Sequence, residues 1–343
     1  MGAIGPARSA QTMPSSPTMA SIDAVHVDLM LDSLNGLSVG DAVGAEFLVL
    51  RRPLDELRTG DLPAGRWEWT DDTEMACTVA GELLEHGAVD QDRLVAAFAE
   101  RIDQGRDYGF MTVDTLGRIR RGVPWRQVTA AAFGGQGSCG NGAAMRVAPL
   151  GAFYASDPDR AVAEAVRSAQ VTHAHREGIS GAVAVAVAGA TAARARLAGT
   201  RPAPQEFLAA VLDRLDDGET TRLIRRAYAL LGAPADQVAA EVGNGAAVTA
   251  QDTVPFTLWV AATFLHDYRA AIATCLSVGG DTDTTSAIVG GIVAAYTGDR
   301  PGGLPGTWLT AREPLPAWFE QSRAQQRSTS SGGRLRRWFS RTP

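Results

Sequence analysis

The stretch Gly181–Ala198, with the sequence GAVAVAVAGATAARARLA, decides the fold class of this chain. Its apolar run over residues 181–193 is too short to span a bilayer, and it is followed by Arg194 and Arg196. Alanine is the strongest helix former, so we expect a helix here that is buried in a protein core. No membrane span is predicted.

Similar alanine-rich segments recur on both sides of this stretch, and each is long enough for two or more helical turns. They are Asp92–Ile102, Pro158–Gln170, Pro204–Leu215, Thr220–Leu231, Val254–His266, Tyr268–Ser277 and Ser286–Tyr296. Alternating β-type segments are scarce and there is no repeat of fixed period. The pattern predicts an all-α fold, and we expect one domain over residues 22–320 because no strong linker interrupts it.

The two ends of the chain differ from this body in composition. Residues 1–21 are rich in Ser, Pro, Ala and Met and carry one charged side chain, which predicts a disordered tail. Residues 321–343 are polar and arginine-rich, which predicts a flexible tail. We therefore expect the function to be carried by residues 22–320.

Charge and cysteine content exclude several classes of function. The chain has 32 arginines, no lysine and 38 acidic residues, and six of the arginines follow Glu320, so residues 1–320 carry a net charge of −12. Such an acidic body argues against a broad nucleic-acid footprint. Three widely spaced cysteines predict a reducing cytoplasm rather than a disulfide framework. We expect a monomer.

Three glycines spaced four apart, Gly36, Gly40 and Gly44, form one smooth face if the segment is helical. Such a face lets a second helix approach closely. Asp41 and Glu46 lie in the same stretch, and close helix packing alone does not explain charged side chains there.

Two acidic clusters each come directly before a helical segment. The first is Trp69–Thr73 with Asp71 and Asp72, and the second is Gly279–Thr285 with Asp281 and Asp283. Helix capping is one interpretation, since Asp and Thr are preferred at N-cap positions. The other is a site for hard cations such as Mg²⁺, Mn²⁺ or Ca²⁺, which prefer oxygen ligands.

The two clusters are separated by 209 residues, from Asp72 to Asp281. If they meet, each pair of carboxylates ~4 Å apart repels by ~4 kcal/mol at an effective dielectric of 20. Two divalent cations would neutralise the four charges. The sequence alone leaves both the convergence and the capping interpretation open.

A glycine-rich segment, residues 133–146, is the third feature. Consecutive glycines before a helix expose backbone N–H groups that can hold a diphosphate, whereas the alternative is a flexible connection. Among the five histidines, His173 and His175 stand out. For one of them we favour a hydrogen bond to substrate over metal ligation, with a structural role as the alternative.

In this order, these elements resemble the ADP-ribosylglycohydrolase family over residues 27–298. The resemblance rests on Gly40–Gly44, Trp69–Thr73, Tyr108-Gly109, Gly122–Trp125, Gly140–Pro149, Thr172-His173 and Gly279–Thr284. It implies a compact orthogonal bundle of many α-helices with two Mg²⁺ or Mn²⁺ ions at the base of a cleft. It also implies hydrolysis of the bond between C1″ of ADP-ribose and a leaving group.

The resemblance assigns expected roles to individual residues. The implied metal ligands are Thr70, Asp71, Asp72, Asp281, Asp283 and Thr284, and the implied substrate-binding residues are Ser138, Gly140, Asn141, Gly142, Met145, His173 and Tyr108. Many members place a Glu where this chain has Leu48, and Glu46 lies two residues earlier. We therefore expect the catalytic groups to be Glu46, Asp283 and, facing the leaving group, Asp107.

The expected function is metal-assisted glycoside hydrolysis of an ADP-ribosylated protein or small molecule. Two alternatives from other classes remain: a binding module for ADP-ribose or a nucleotide that has lost turnover, and a two-metal phosphohydrolase. The acceptor, whether arginine, serine, a nucleic-acid end or a small molecule, is left open by the sequence, as is the choice of Mg²⁺ or Mn²⁺.

Overall fold

Helices account for the regular structure throughout residues 23–50 and 65–325, the part of the chain that the computed structural model describes. In chain order they are α1 (Ala24–Leu50), α2 (Asp71–His86), α3 (Gln91–Arg101), α4 (Phe110–Arg120), α5 (Trp125–Gly135), α6 (Ala148–Phe153), α7 (Pro158–Gln170), α8 (Arg176–Ala198), α9 (Pro204–Leu212), α10 (Glu219–Ala229), α11 (Ala235–Val242), α12 (Ala250–Thr263), α13 (Tyr268–Val278), α14 (Thr282–Thr297), α15 (Gly306–Ala311) and α16 (317–325). These residues contain no strand, only two isolated bridges, Trp67 with Arg312 and Gly140 with Thr249. The all-α prediction is confirmed.

The alanine-rich stretch Gly181–Ala198 lies in the centre of the bundle. It forms most of α8, which at 23 residues is longer than the apolar run itself. By length and hydropathy α8 would suffice to cross a membrane, but 83% of its apolar window is buried inside the protein. It contacts α6, α7, α12 and α14, so the helix serves as the core around which the others pack.

Helices α1 and α14 form the closest helix pair, and the glycine face of α1 is the reason. A Cβ atom on Gly40 would lie 2.1 Å from the carbonyl oxygen of Ser286, and one on Gly36 would lie 2.4 Å from that of Gly290. One on Gly44 would lie 2.5 Å from the Cα of Asp283. The glycine spacing therefore lets α1 pass against the backbone of α14, at the end that carries the second acidic cluster.

Several helix boundaries differ from the predicted ones. Helix α14 begins at Thr282, four residues before the predicted start, because the acidic cluster forms its first turn. Helix α12 begins at Ala250, four residues before the predicted start, and contains Pro255 in its second turn, where the missing N–H removes one intrahelical hydrogen bond.

The ends of the predicted domain fall partly outside the described residues. Residues 1–21 and 326–343, which include most of both expected tails, lie outside them. Helix α16 continues past residue 320, the predicted boundary, to residue 325. The side chain of its Phe319 is fully buried, and Trp318 lies 3.5 Å from the position that a Cβ on Gly81 of α2 would take. This helix therefore packs against α2.

Candidate metal and nucleotide site

The two acidic clusters meet in the folded chain. Asp72 accepts a hydrogen bond at Oδ2 from the hydroxyl of Thr284 at 3.3 Å, a contact that crosses 212 residues, and the hydroxyl oxygen of Thr70 lies 3.3 Å from the same atom. Helices α2 and α14 begin at the two clusters. Their first turns thus bring together the carboxylates and hydroxyls that the sequence analysis singled out.

The capping interpretation of these clusters is wrong. Thr70 and Asp281 do occupy the N-cap positions of α2 and α14, but neither side chain makes a cap hydrogen bond. Glu74, in the first turn of α2, likewise makes no capping hydrogen bond and accepts from the backbone of Asp103 and the hydroxyl of Tyr108. Capping therefore does not account for the acidic side chains.

Asp41 belongs to this site, although the sequence pattern did not predict it there. It is fully buried on α1, and its two carboxylate oxygens accept from the backbone N–H and the hydroxyl of both Thr70 and Thr73, at 2.5 to 3.2 Å. These bonds hold the Thr70–Thr73 segment against the glycine face of α1. An acid within a glycine-spaced helical stretch is the sequence signal that could have identified it.

We call Asp41, Asp71, Asp72, Asp281 and Asp283 the acidic group. Burial and mutual repulsion raise the pKa of four of these carboxyls. Burial, together with the charge of Asp283, raises the pKa of Asp41 and of Asp281 to about 7. The pKa of Asp71 and of Asp72 is raised well above its ordinary value, first by burial and then by the charges of neighbouring carboxylates, Asp41 foremost. The site therefore favours any cation or proton that reduces its negative charge.

The chemistry of these donors fits a hard cation. Oδ1 of Asp72 is buried and has no hydrogen-bond partner among the described residues, which is costly unless something else satisfies it. The neighbouring donors are all oxygens, the kind that Mg²⁺ and Mn²⁺ prefer. No three of the Asp, Glu, His and Cys side chains in the described ranges converge as the ligands of one ion do. The oxygen donors thus come from two helix starts, and no three of these carboxylates surround one point as ligands of a single ion would.

The glycine-rich segment joins the acidic group through Asn141. Its side-chain amide donates to Oδ2 of Asp281 at 2.7 Å and to the hydroxyl of Thr253 at 3.1 Å. Its backbone N–H donates to the carbonyl of Val248 at 3.3 Å. Asn141 begins a short 3₁₀ turn that ends at Ala143, so the glycine-rich segment is fixed beside the second acidic cluster.

Two glycines of this segment leave little room for a side chain where the chain passes His173. A Cβ on Gly140 would lie 3.3 Å from Nε2 of His173, and one on Gly142 would lie 3.3 Å from its Cε1. Just before it, regular helix ends in α5, where Phe133 has a φ of +50°. A cleft beside the segment is lined in part by Phe133, Ser138 and His173, so the imidazole borders both this cleft and the glycine-rich segment.

His173 is 6% exposed, and its Nδ1 lies 2.8 Å from the hydroxyl of Thr172. Burial lowers the pKa of His173 to about 3, with a further contribution from the positive charge of Arg146. The imidazole is therefore neutral at physiological pH and can act as a hydrogen-bond donor or acceptor.

Asp107 and Tyr108 border the first cluster from the loop before α4. The carbonyl of Arg106 accepts from the backbone N–H of Asp71 at 2.7 Å, and the charge of Asp107 contributes to the raised pKa of Asp71. Asp107 is exposed and has a φ of +62°, uncommon for a residue other than glycine. Tyr108 is half-buried, and its hydroxyl donates to Glu74 at 2.7 Å.

Two of the expected residues lie at the margin of this arrangement. Glu46 is half-buried on α1, two residues beyond the glycine that touches the backbone of Asp283. Met145 is buried in the core, with its sulfur 3.9 Å from the position that a Cβ on Gly142 would take, and so lies behind the glycine-rich segment. The side chain of Leu48 lies outside the described residues.

Comparison with known proteins gives a consistent result. The sequence model of the family described as ADP-ribosylglycohydrolase matches residues 23–334. The chain is 32% identical to ADP-ribosylhydrolase ARH3 of Homo sapiens, covering 71% of this chain and 74% of that one. It is 25% identical to ADP-ribosylarginine hydrolase Tri1 of Serratia proteamaculans, covering 86% and 78%. A solved structure titled ADP-ribosylglycohydrolase-related protein complex is similar at a TM-score of 0.59 and 28% identity, over 88% of this chain and 96% of that one.

Proposed function

The chain belongs to the ADP-ribosylglycohydrolase family, and from this premise we propose that it is a metal-dependent hydrolase that cleaves the C1″ glycosidic bond of ADP-ribose conjugates. The observation that carries the proposal is the hydrogen bond from Thr284 to Asp72, which joins the two acidic clusters in one group. The family membership supports the substrate class, and the acidic group supports the metal dependence.

We propose that two Mg²⁺ or Mn²⁺ ions are held by the oxygens of the two helix starts. The proposed ligands are Thr70, Asp71, Asp72, Asp281, Asp283 and Thr284, and all six are present. When bound, such ions would orient the sugar hydroxyls that they ligate and lower the pKa of a bound water. The unpartnered Oδ1 of Asp72 supports this assignment.

The chain's own residues would divide the remaining tasks. Asp41 positions Thr70 by its paired hydrogen bonds, and Asn141 positions Asp281. The carboxylate of Glu46 or of Asp283 would take the proton of the attacking water. Asp107, exposed beside Asp71, would face the leaving group. The loop at Tyr108 is fixed by Glu74, which holds Asp107 in place.

The substrate's nucleotide would lie along the glycine-rich segment. Gly140 and Gly142 leave the backbone accessible beside His173, since any side chain there would press on the imidazole. Ser138 and His173 line the adjoining cleft. Glycine backbone of this kind can approach a diphosphate closely, which supports ADP-ribose as the ligand.

The binding-module alternative is not favoured, because every proposed ligand is in place and two of the proposed catalytic carboxylates, Asp107 and Asp283, lie near Asp71. The phosphohydrolase alternative draws on the same acidic group but does not account for the family membership. Product analysis distinguishes both alternatives from the proposed hydrolase, because a binding module releases no product. Cleavage of the glycosidic bond releases free ADP-ribose, whereas phosphohydrolase activity releases AMP or phosphate.

The decisive experiment is a panel of defined ADP-ribosylated substrates incubated with the protein and Mg²⁺ or Mn²⁺. Arginine-linked, serine-linked, nucleic-acid and small-molecule conjugates would be compared, since the relatives named above include an ADP-ribosylarginine hydrolase. We expect free ADP-ribose from at least one conjugate and none in excess EDTA. AMP as the product, or tight ADP-ribose binding without turnover of any conjugate, would refute the proposal in favour of one alternative.

A further inference from the structure

Arg146 is a fully buried cation with no carboxylate at ion-pair distance among the described residues. Its guanidinium donates instead to the carbonyls of Gly142 and Ser168, at 3.1 and 2.6 Å, and to the hydroxyl of Thr172 at 2.9 Å. A guanidinium has donors only and cannot accept a hydrogen bond. The hydroxyl oxygen of Thr172 must therefore be the acceptor in its contact with Arg146.

The direction of that bond leaves Thr172 with one hydroxyl proton to donate. Two acceptors are in question: Nδ1 of His173 at 2.8 Å and the carbonyl of Ala169 at 3.5 Å. The Ala169 carbonyl already accepts from the backbone N–H groups of Thr172 and His173, at 3.1 and 2.8 Å. Since 3.5 Å is also too long for a good O–H···O bond, the proton goes to Nδ1.

An imidazole that accepts at Nδ1 and is neutral carries its proton on Nε2. In His173 this Nε2 faces the glycine-rich segment, 3.3 Å from the position of a Cβ on Gly140. No group among the described residues accepts from it. A side chain that is 94% buried thus directs an unused donor towards the glycine-rich segment of the proposed nucleotide site.

We propose that Arg146 and Thr172 are positioning residues that fix His173 as its Nε2–H tautomer, so that the imidazole donates a hydrogen bond to an acceptor oxygen of the bound ADP-ribose. The inference rests on the proposed function for the identity of the ligand. The hydrogen-bond chain itself rests only on the geometry of the free protein.

The tautomer can be read without substrate. In the ¹⁵N-labelled protein, two-bond correlation spectra distinguish protonated from unprotonated ring nitrogens, and His173→Gln assigns the signal among the five histidines. We expect Nε2 to be protonated and Nδ1 to be bare at pH 7. A proton on Nδ1 would overturn the proposal, whatever the protein hydrolyses.

The role of the chain in binding is tested by two variants of Thr172. Thr172→Val keeps the shape but removes the hydroxyl, whereas Thr172→Ser keeps the hydroxyl. We expect Thr172→Val to change the tautomer signal and to weaken ADP-ribose binding by calorimetry about tenfold, the size of one hydrogen bond. Thr172→Ser should retain the wild-type tautomer and affinity, which a merely structural role of Thr172 would not predict.

The outcomes separate the two hypotheses. Unchanged tautomer and affinity in Thr172→Val would overturn the hydrogen-bond chain. Failure of the wild-type protein to bind ADP-ribose at all would instead refute the proposed function and, with it, the proposed recipient of the Nε2–H donor.

Discussion

The hydroxyl of Thr284 lies 3.3 Å from Oδ2 of Asp72 and donates to it, although 212 residues separate them in the chain. Both side chains are buried at the start of a helix, Thr284 on α14 and Asp72 on α2. The contact exists because α1 packs against both helices, touching α14 through its glycines and holding the Thr70–Thr73 segment through Asp41. One helix thus aligns both halves of the acidic group.

Divalent cations should stabilise the protein measurably. An ion that binds only the folded form adds about 2.7 kcal/mol at one hundred times its Kd, which corresponds to several degrees of melting temperature. We expect EDTA to lower the melting temperature and Mg²⁺ or Mn²⁺ to restore it, and Asp283→Asn to remove the response. Asp236→Asn, at an exposed first-turn acid of α11, is the control and should keep it. A full cation response in Asp283→Asn would exclude Asp283 as a ligand.

Thr73 should matter more to stability than a second buried threonine on the same helix. Its hydroxyl donates to the buried carboxylate of Asp41 at 2.5 Å, whereas that of Thr78 donates to the backbone carbonyl of Glu74 within α2. Hydrogen bonds to charged groups contribute about 1.5–3 kcal/mol, more than neutral ones. Thr73→Val should therefore reduce the free energy of unfolding by about 1 kcal/mol more than Thr78→Val, as measured by urea titration. Equal losses would show that the carboxylate contact adds nothing.

Replacing Gly40 by alanine should destabilise the protein even though alanine favours helix. The added Cβ would lie 2.1 Å from a backbone carbonyl of α14, so the helices must separate. Overpacking of this kind costs about 1–3 kcal/mol. At Gly117 on α4 the nearest atom is the end of the Arg121 side chain, 3.5 Å away, and Gly117→Ala should gain up to about 1 kcal/mol from helix propensity. Thermal melts that show the same sign for both variants would contradict the close contact.

Substitution of Gly142 should weaken ADP-ribose binding while sparing the cation response. A Cβ there already lies 3.3 Å from the His173 ring, and the branched side chain of Gly142→Val would displace the imidazole. We expect a higher Kd for ADP-ribose by calorimetry and an unchanged melting shift with Mg²⁺. Gly306→Val, where nothing lies within 4 Å, serves as control. An unaltered Kd in Gly142→Val would remove this segment from the nucleotide site.

The stability of the cation-free protein should fall as the pH rises from 6.5 to 8.5. Asp41 and Asp281, with a pKa raised from 3.8 to about 7, hold protons in the folded state that the unfolded chain has already released. Because the folded state binds more protons up to its pKa, the free energy of unfolding decreases as the pH rises towards 7, by at most ~1.4 kcal/mol per pH unit for each proton, and levels off above about pH 8. His173, whose pKa is lowered from 6.5 to about 3, has the opposite effect, which fades as the pH rises above 6.5. Urea titrations in EDTA that show constant or rising stability would contradict these raised pKa values.

Local sequence predicted most of the helical content, but helices without an alanine-rich pattern escaped it. Helix α7 begins and ends where predicted, at Pro158 and Gln170, because a proline start and a dense run of helix formers define it locally. The first helix, Ala24–Leu50, is not among the predicted segments, and its glycine spacing forms a face only once the segment is known to be helical. Short helices are marginal by propensity: α6, with six residues, is buried throughout, whereas α15, also with six, buries only Trp308.

By itself the sequence determined which residues could form a site: the acids and hydroxyls of two clusters, a glycine-rich segment and a histidine, in an order that resembles one family. It did not determine whether those acids cap helices or share a site, because Asp and Thr suit both roles equally. Only the tertiary structure decided this. The glycine face of α1 brings α14 to within backbone contact, and Asp41 holds the start of α2 against the same helix. Side chains over two hundred residues apart therefore fall within hydrogen-bond distance.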